Sequence, residues 1–284
     1  MTETRTAPAR LFAGLLDDAA IFPPGNAALP EAVRAHQDRR STPLAPLLGP
    51  FICSLPRWAE LSGALTGGSP LPLALTLPGG ADDLPAAIAH TRAEPRVRLL
   101  ALEVPASAER LADLAAIVDR QVPSAVHTYV ELPRSDVTAA GVATLAGAGL
   151  RLKVRTGGLV ASAFPDERQL AGVLVAAVRG GVAFKLTAGL HDPVRHRDPA
   201  TGFEHHGYLN VLLATARALN GEGADGVAAA LADADGTRVA AAVAGIDDTL
   251  AERVRHHFVS FGTCSITEPV DGLLRHGLLP EDPR

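Results

Sequence analysis

Lysine is nearly absent from this chain: of 26 basic residues only Lys153 and Lys185 are not arginine. Cysteine is equally scarce. Cys53 and Cys264 lie far apart and without metal-type spacing, which excludes a disulfide scaffold or a cysteine-based zinc site and suits a reducing compartment. Aromatics make up 4% of the residues and are scattered, and the net charge is −5 with no basic cluster, so no nucleic-acid partner is expected. Apolar runs such as 171–178 and 239–246 are short and alanine-rich, well below the length that spans a bilayer, so no membrane partner is expected. Residues 1–10 mix acid and base, and no apolar segment follows before Pro23-Pro24; the expectation is no signal peptide and a cytoplasmic protein. No Gly-x-Gly-x-x-Gly follows the first apolar run and no Walker-type lysine loop occurs, which removes the usual support for a nucleotide-binding open sheet.

What is present is apolar substance and a rhythm. The chain has 284 residues, 47% of them hydrophobic, enough for a sizeable core and a normal length for an α/β barrel. Short apolar or β-branched runs fall at 14–22, 51–55, 71–77, 97–104, 127–132, 150–155, 182–187 and 257–262. Most are followed by an alanine-rich helical pattern. Pro30 opens one such helix, with Glu31 in its first turn and arginines in its last, as the helix dipole favours. Ser107 and Ser135 are candidate caps for later helices, and another begins near Asp166. Eight strands alternating with helices predict a (β/α)8 TIM barrel, residues 1–284 forming one domain, with an open sheet of fewer strands as the alternative. Residues 188–256 are too long for one βα connection. They predict a polar loop and then a helical insertion after strand 7, with helices at 208–219, 225–234 and 237–254.

Strand alternation turns this rhythm into a site, because residues two apart share a face. The sixth run places Arg151, Lys153 and Arg155 together, and the seventh places Lys185 with Thr187. The fifth run gives Tyr129 and Glu131; the fourth gives Leu99, Ala101 and Glu103. The polar residues thus fall at the C-terminal ends of neighbouring strands, where barrel enzymes carry their chemistry. Lysine, unlike arginine, can act as a nucleophile or base, and like charge plus burial both favour the neutral amine that attacks a carbonyl. Glu103 and Glu131 can move protons, or one of them can simply balance the cations. A paired, structural Lys/Arg/Glu network is the plain alternative.

Three motifs make the pattern specific. Lys153-Val-Arg-Thr-Gly-Gly resembles the sixth-strand motif of the deoxyribose-phosphate aldolase family, Lys185-Leu-Thr-Ala-Gly its seventh-strand segment, and Gly262-Thr-Cys-Ser the turn after its eighth strand. Leu16-Asp17-Asp18, Phe51-Ile-Cys-Ser and Leu102-Glu103-Val104 are further echoes. The resemblance implies a divergent class I aldolase that needs neither metal nor cofactor. Lys153 would form the Schiff base, Lys185 would tune it, and Glu103 and Glu131 would move protons. A small carbonyl substrate, carboxylate- or phosphate-bearing, would meet Arg155, Thr187, Asp17, Asp18, Gly157, Gly158, Gly189, Gly262, Thr263 and Ser265. Where the family has a small hydroxyl residue this chain has Arg155, a fixed cation beside the amine. Leu190 and His191 stand where a second glycine would complete a phosphate cradle.

The insertion is foreign to that family. His191, His196, His205 and His206 crowd its loop with Asp192, Asp198 and Glu204 between them. His191, His205 and His206 are expected to touch substrate from a lid, although His205-His206 also adjoins a helix start, where one of the two can be only a cap. A metal-dependent lyase or hydrolase using these histidines is the rival reading, and a non-catalytic binding or scaffold subunit is a third. Assembly into a homo-oligomer is compatible with any of these.

Overall fold

The alternation of apolar runs and helices closes into a barrel. The computed structural model describes residues 9–279; the expectation of no signal peptide rests largely on positions 1–8, outside that span. In chain order the first half is β1 (Leu16–Asp18), α1 (Leu29–Arg39), β2 (Leu48–Ser54), α2 (Trp58–Ala64), β3 (Leu71–Thr76), α3 (Leu84–Ala93), β4 (Val97–Pro105) and α4 (Leu111–Gln121). Then come β5 (His127–Glu131), α5 (Ala139–Gly147), β6 (Arg151–Arg155), α6 (Glu167–Arg179) and β7 (Phe184–Thr187). After β7 a two-stranded antiparallel hairpin, β8 (His196–Arg197) and β9 (Glu204–His205), precedes α7 (Tyr208–Leu219), α8 (Ala224–Ala232), α9 (Gly236–Ala244) and α10 (Asp248–His257). β10 (Phe258–Thr263) and α11 (Thr267–Arg275) complete the chain.

The barrel order is β1-β10-β7-β6-β5-β4-β3-β2, with every pair parallel. This is the eight-stranded α/β barrel that the run count predicts. No described helix is long and apolar enough to cross a membrane.

The strands divide their side chains as period-two alternation requires. Leu152 and Val154 of β6, and Phe184 and Leu186 of β7, enter the main core between sheet and helices. A smaller apolar cluster of Ile52, Ala74, Ala101 and Tyr129, from β2 to β5, fills one side of the barrel interior. Leu99 departs from the simple alternation. The register between β3 and β4 slips between Leu73 and Ala74, so Leu99 pairs with Leu73 and packs on the outer core while Ala101 turns inward.

Local chemistry sets the helix starts, and here some sequence expectations fail. Asp166 makes a capping box with Gln169, as the α6 start near it suggests. Ser107 makes no side-chain cap, because a 3-10 turn at Ala108–Arg110 intervenes before α4. Thr138, not Ser135, caps α5; the Ser135 hydroxyl donates to Asp136 instead. The single helix expected at 237–254 is two, α9 and α10. Gly245 ends the first, and the Asp247 carboxylate accepts from the Leu250 N–H to start the second.

Most of the insertion packs outside the barrel. Ten of the twelve residues of α7 are buried, including its apolar and small polar positions, as expected of a helix covered on all sides. Tyr208 stacks on Phe261 of β10 at 5.2 Å, and α8 and α9 pack over α7. Only the hairpin segment, residues 188–207, remains at the C-terminal end of the barrel.

Candidate active site

The other side of the barrel interior is charged. Register places Glu131, Lys153 and Lys185 side by side on β5, β6 and β7, with Ser260 of β10 beyond Lys185. From the floor upward the side chains form a ladder of alternating sign. The Lys185 ammonium donates to Asp17 Oδ2 and, at 2.6 Å, to Glu103 Oε1. The other Glu103 oxygen, Oε2, lies 2.7 Å from Lys153 Nζ. Lys153 Nζ is also 2.7 Å from Glu131 Oε2, and Glu131 Oε1 is 3.6 Å from an Arg155 guanidinium nitrogen. Side-chain exposure climbs along the ladder, from 1% at Lys185 and Glu103 to 8% at Lys153, 24% at Glu131 and 54% at Arg155. Lys153 is therefore the amine nearest the mouth, and Lys185 is sealed beneath it.

Electrostatics separates these groups. Burial alone would raise the Glu103 carboxyl, but Lys153 and Lys185 outweigh it and hold the group at about 2. Burial likewise opposes the charge on Lys185, and Asp17 and Glu103 override it, so Lys185 is raised and stays cationic. At Asp17 burial wins over Lys185 and the Ser260 hydrogen bond, and its carboxyl is raised. Two adjoining lysines that repel one another are thus not what the barrel holds. Glu103 sits between the amines, so each cation meets carboxylate before it meets the other.

The residues expected at the site separate into groups. Lys153, Lys185, Glu103, Glu131 and Arg155 are brought together. Thr187 pairs with Arg155 on one side and Gly262 on the other, at the inward face of the mouth. Gly157 and Gly189 meet where the β6 and β7 turns touch. A Cβ on Gly157 would come within 2.9 Å of Gly189 Cα, and Gly189 has a φ of +76°. Gly158 adjoins them against Ala163, within 2.7 Å of its Cβ were a side chain added.

Asp17 is a correction: at 1% exposure it is sealed against Lys185 and Ser260, as the buried end of the ladder and not as a substrate contact. Asp18 does not join the site. Adjacent strand residues face opposite sides, and its carboxylate turns to α1, 3.1 Å from His36 Nδ1 and 3.3 Å from an Arg39 guanidinium nitrogen. Thr263 is buried with its hydroxyl donating to the Ser265 carbonyl, and the Ser265 hydroxyl accepts from the Glu268 N–H. That turn is bonded to itself, and Glu268 occupies the first turn of α11.

The histidines disperse. His191 Nδ1 is 3.0 Å from Glu268 Oε2, and His196 Nε2 is 3.2 Å from Asp192 Oδ2. His205 lies on Phe164, ring centroids 4.5 Å apart, above the β6–β7 turns. His206 is buried and bonded to the Pro165 carbonyl at 2.9 Å, and burial lowers it to about 4. It contacts the scaffold, away from the ladder. It is not a helix cap either, because Gly207 holds that position before α7. No group of three or more His, Cys, Asp or Glu among the described residues is disposed to hold a metal ion.

Ser260 and Phe164 escaped the sequence reading. Ser260 carried a signal, being the one hydroxyl inside the apolar run His257-Phe-Val-Ser-Phe and two residues before Gly262. Phe164 carried none, since its place under His205 depends on how the hairpin folds back.

A cavity of about 530 Å³ opens beside the ladder, lined by Glu131 and Arg155 together with Ser107, Leu132, Pro133 and Arg134. Fold and site together define a (β/α)8 barrel with a charged, half-open mouth. No family model matches the chain, and no curated protein matches it.

Proposed function

We propose that the protein is a class I, Schiff-base-forming lyase that makes or breaks a carbon–carbon bond in a small carbonyl compound, with Lys153 as the nucleophile. The observation that carries this reading is the position of the Lys153 amine. It stands between two carboxylates at 2.7 Å, one of which, Glu131, lines the cavity at the mouth, while the other lysine is more deeply buried.

Glu131 is the partly exposed carboxylate and takes a proton from the ammonium, freeing the lone pair to attack the carbonyl carbon. That proton passes to the carbonyl oxygen, a second follows by the same carboxylate, and the oxygen leaves as water. One proton and one positive charge remain on nitrogen. The iminium therefore carries the charge the ammonium had, and Glu103 and Glu131 stabilise both alike. Electron withdrawal by the iminium then lets the adjacent C–C bond break, its electron pair passing into an enamine while a carboxylate takes the hydroxyl proton of the departing fragment. Addition runs these steps backward. Lys185, held charged by Asp17 and Glu103, fixes the Glu103 carboxylate against Lys153 throughout.

The test is borohydride reduction in the presence of a panel of aldehydes and 2-oxo acids, followed by peptide mass analysis. The expected result is a reduced adduct on the peptide containing Lys153 and none in Lys153→Arg, which keeps the charge and lacks the nucleophile. Absence of any adduct across the panel overturns the reading. It would favour a second one suggested by the completeness of the ion pairing, a barrel whose charged interior is structural.

A further inference from the structure

Arg155 stands two residues beyond Lys153 on the same face of β6, a strand spacing of about 6.6 Å. Its guanidinium is 54% exposed, and its ion pair with Glu131 is loose at 3.6 Å. Arg134, the other arginine lining the cavity, is committed elsewhere. It donates to the Ser162 carbonyl at 2.9 Å and the Ala163 carbonyl at 3.3 Å, tying down the loop after β6. Arg155 is thus the cation that can turn its donors to a ligand in the cavity.

Glu131 gives the distance scale. One carboxylate group spans the two cations, with Oε2 on Lys153 Nζ at 2.7 Å and Oε1 facing Arg155 at 3.6 Å. A ligand whose carbonyl carbon is bonded to Lys153 Nζ and whose anion reaches Arg155 must therefore carry that anion close to the carbonyl. The turn that would otherwise hold a distant phosphate is occupied. Thr263 and Ser265 bond within their own turn, the Ser265 hydroxyl taking the Glu268 N–H at the start of α11.

We infer that the substrate forming the imine is a 2-oxo acid, its carboxylate bound by Arg155 and its keto carbon presented to Lys153. This rests on the Schiff-base reading above. A planar carboxylate matches the guanidinium fork, and the iminium one bond away is flanked by Arg155 on one side and Glu103 on the other.

The probes are pyruvate and its neutral analogue pyruvamide, each reduced onto the full-length protein with borohydride, with the Lys153 adduct quantified by mass in the native enzyme and in Arg155→Gln. The readout is the pyruvate-to-pyruvamide ratio, in which differences in protein preparation and intrinsic carbonyl reactivity cancel between the two proteins. Loss of one charge-assisted contact predicts a fall in that ratio of roughly 10- to 100-fold in Arg155→Gln, with partial recovery in Arg155→Lys. A ratio unchanged by Arg155→Gln overturns the inference and leaves the Schiff-base reading standing. So does an adduct on Lys153 with simple aldehydes but with neither probe. No Lys153 adduct with either probe or with any aldehyde overturns both.

Discussion

A single carboxylate serving two ammonium groups is the residue on which the interior depends. Glu103 is 2% exposed and bonds Lys153 through one oxygen and Lys185 through the other. Glu103→Gln leaves both amines short of a countercharge, and removing one partner of a buried ion network costs about 3–5 kcal/mol. Denaturant unfolding at neutral pH should report a loss of that size. The same residue sets an acid limit. Its carboxyl lies at about 2 in the fold against an ordinary 4.5, so the unfolded chain takes up this proton first. Its contribution is complete above about 4.5 and is lost as pH falls toward about 2. Asp17, raised by burial, works in the opposite direction and blunts the effect. In acid titration Glu103→Gln should lack the stability loss that the native chain suffers in this window. Lys185→Met should destabilise by a comparable ~3–5 kcal/mol, because Asp17 and Glu103 would remain buried without their cation; equal stability of the variant would show that the ladder is dispensable.

At the scale of elements, β2 approaches β1 so closely that a side chain at Gly49 would place its Cβ 2.0 Å from Asp17 Oδ1. Gly49→Ala must push the floor of the ladder aside, with an overpacking cost of about 1–3 kcal/mol. The thermal midpoint should fall, and Lys153 trapping should weaken with it. The hairpin offers a pH-dependent counterpart. Burial lowers His206 to about 4 from an ordinary 6.5, so the unfolded segment binds the proton more readily than the folded one. Stability from this contact is present above about 6.5 and falls away as pH drops toward about 4. After correction for the slower intrinsic exchange at lower pH, the hydrogen-exchange protection of residues 188–207 should fall from pH 7 to pH 5 more than that of α7, and His206→Gln should flatten the difference. Element boundaries were only partly legible in the sequence. Asp166 and Gln169 announce α6 because a capping box is local chemistry. Ser107 and Ser135 mislead because a 3-10 turn or a neighbouring aspartate claims the position first, whereas the break between α9 and α10 carried a local signal, Gly245 followed by Asp247, that the alanine-rich pattern on either side masked.

Over the whole molecule, the count of strands was readable because eight apolar runs separated by helical patterns leave few ways to bury their faces. Lys153, Lys185, Glu103, Glu131 and Arg155 converge because period-two alternation and strand order are both written locally. The interleaving of their charges was not readable, since it depends on which rung each side chain reaches across the barrel. The same alternation that assembles the site removes Asp18 from it, and a one-residue slip in the β3–β4 register removes Leu99 from the interior. A substrate carbonyl that passes through an imine on Lys153 gives up its oxygen as water. Incubation with pyruvate in ¹⁸O-enriched water measures this directly, by mass, as label entering the keto position. Exchange well above the uncatalysed rate with the native protein, falling to that rate in Lys153→Arg, is the predicted result; exchange that Lys153→Arg leaves intact, or no catalysed exchange with pyruvate or any reactive aldehyde, would contradict it.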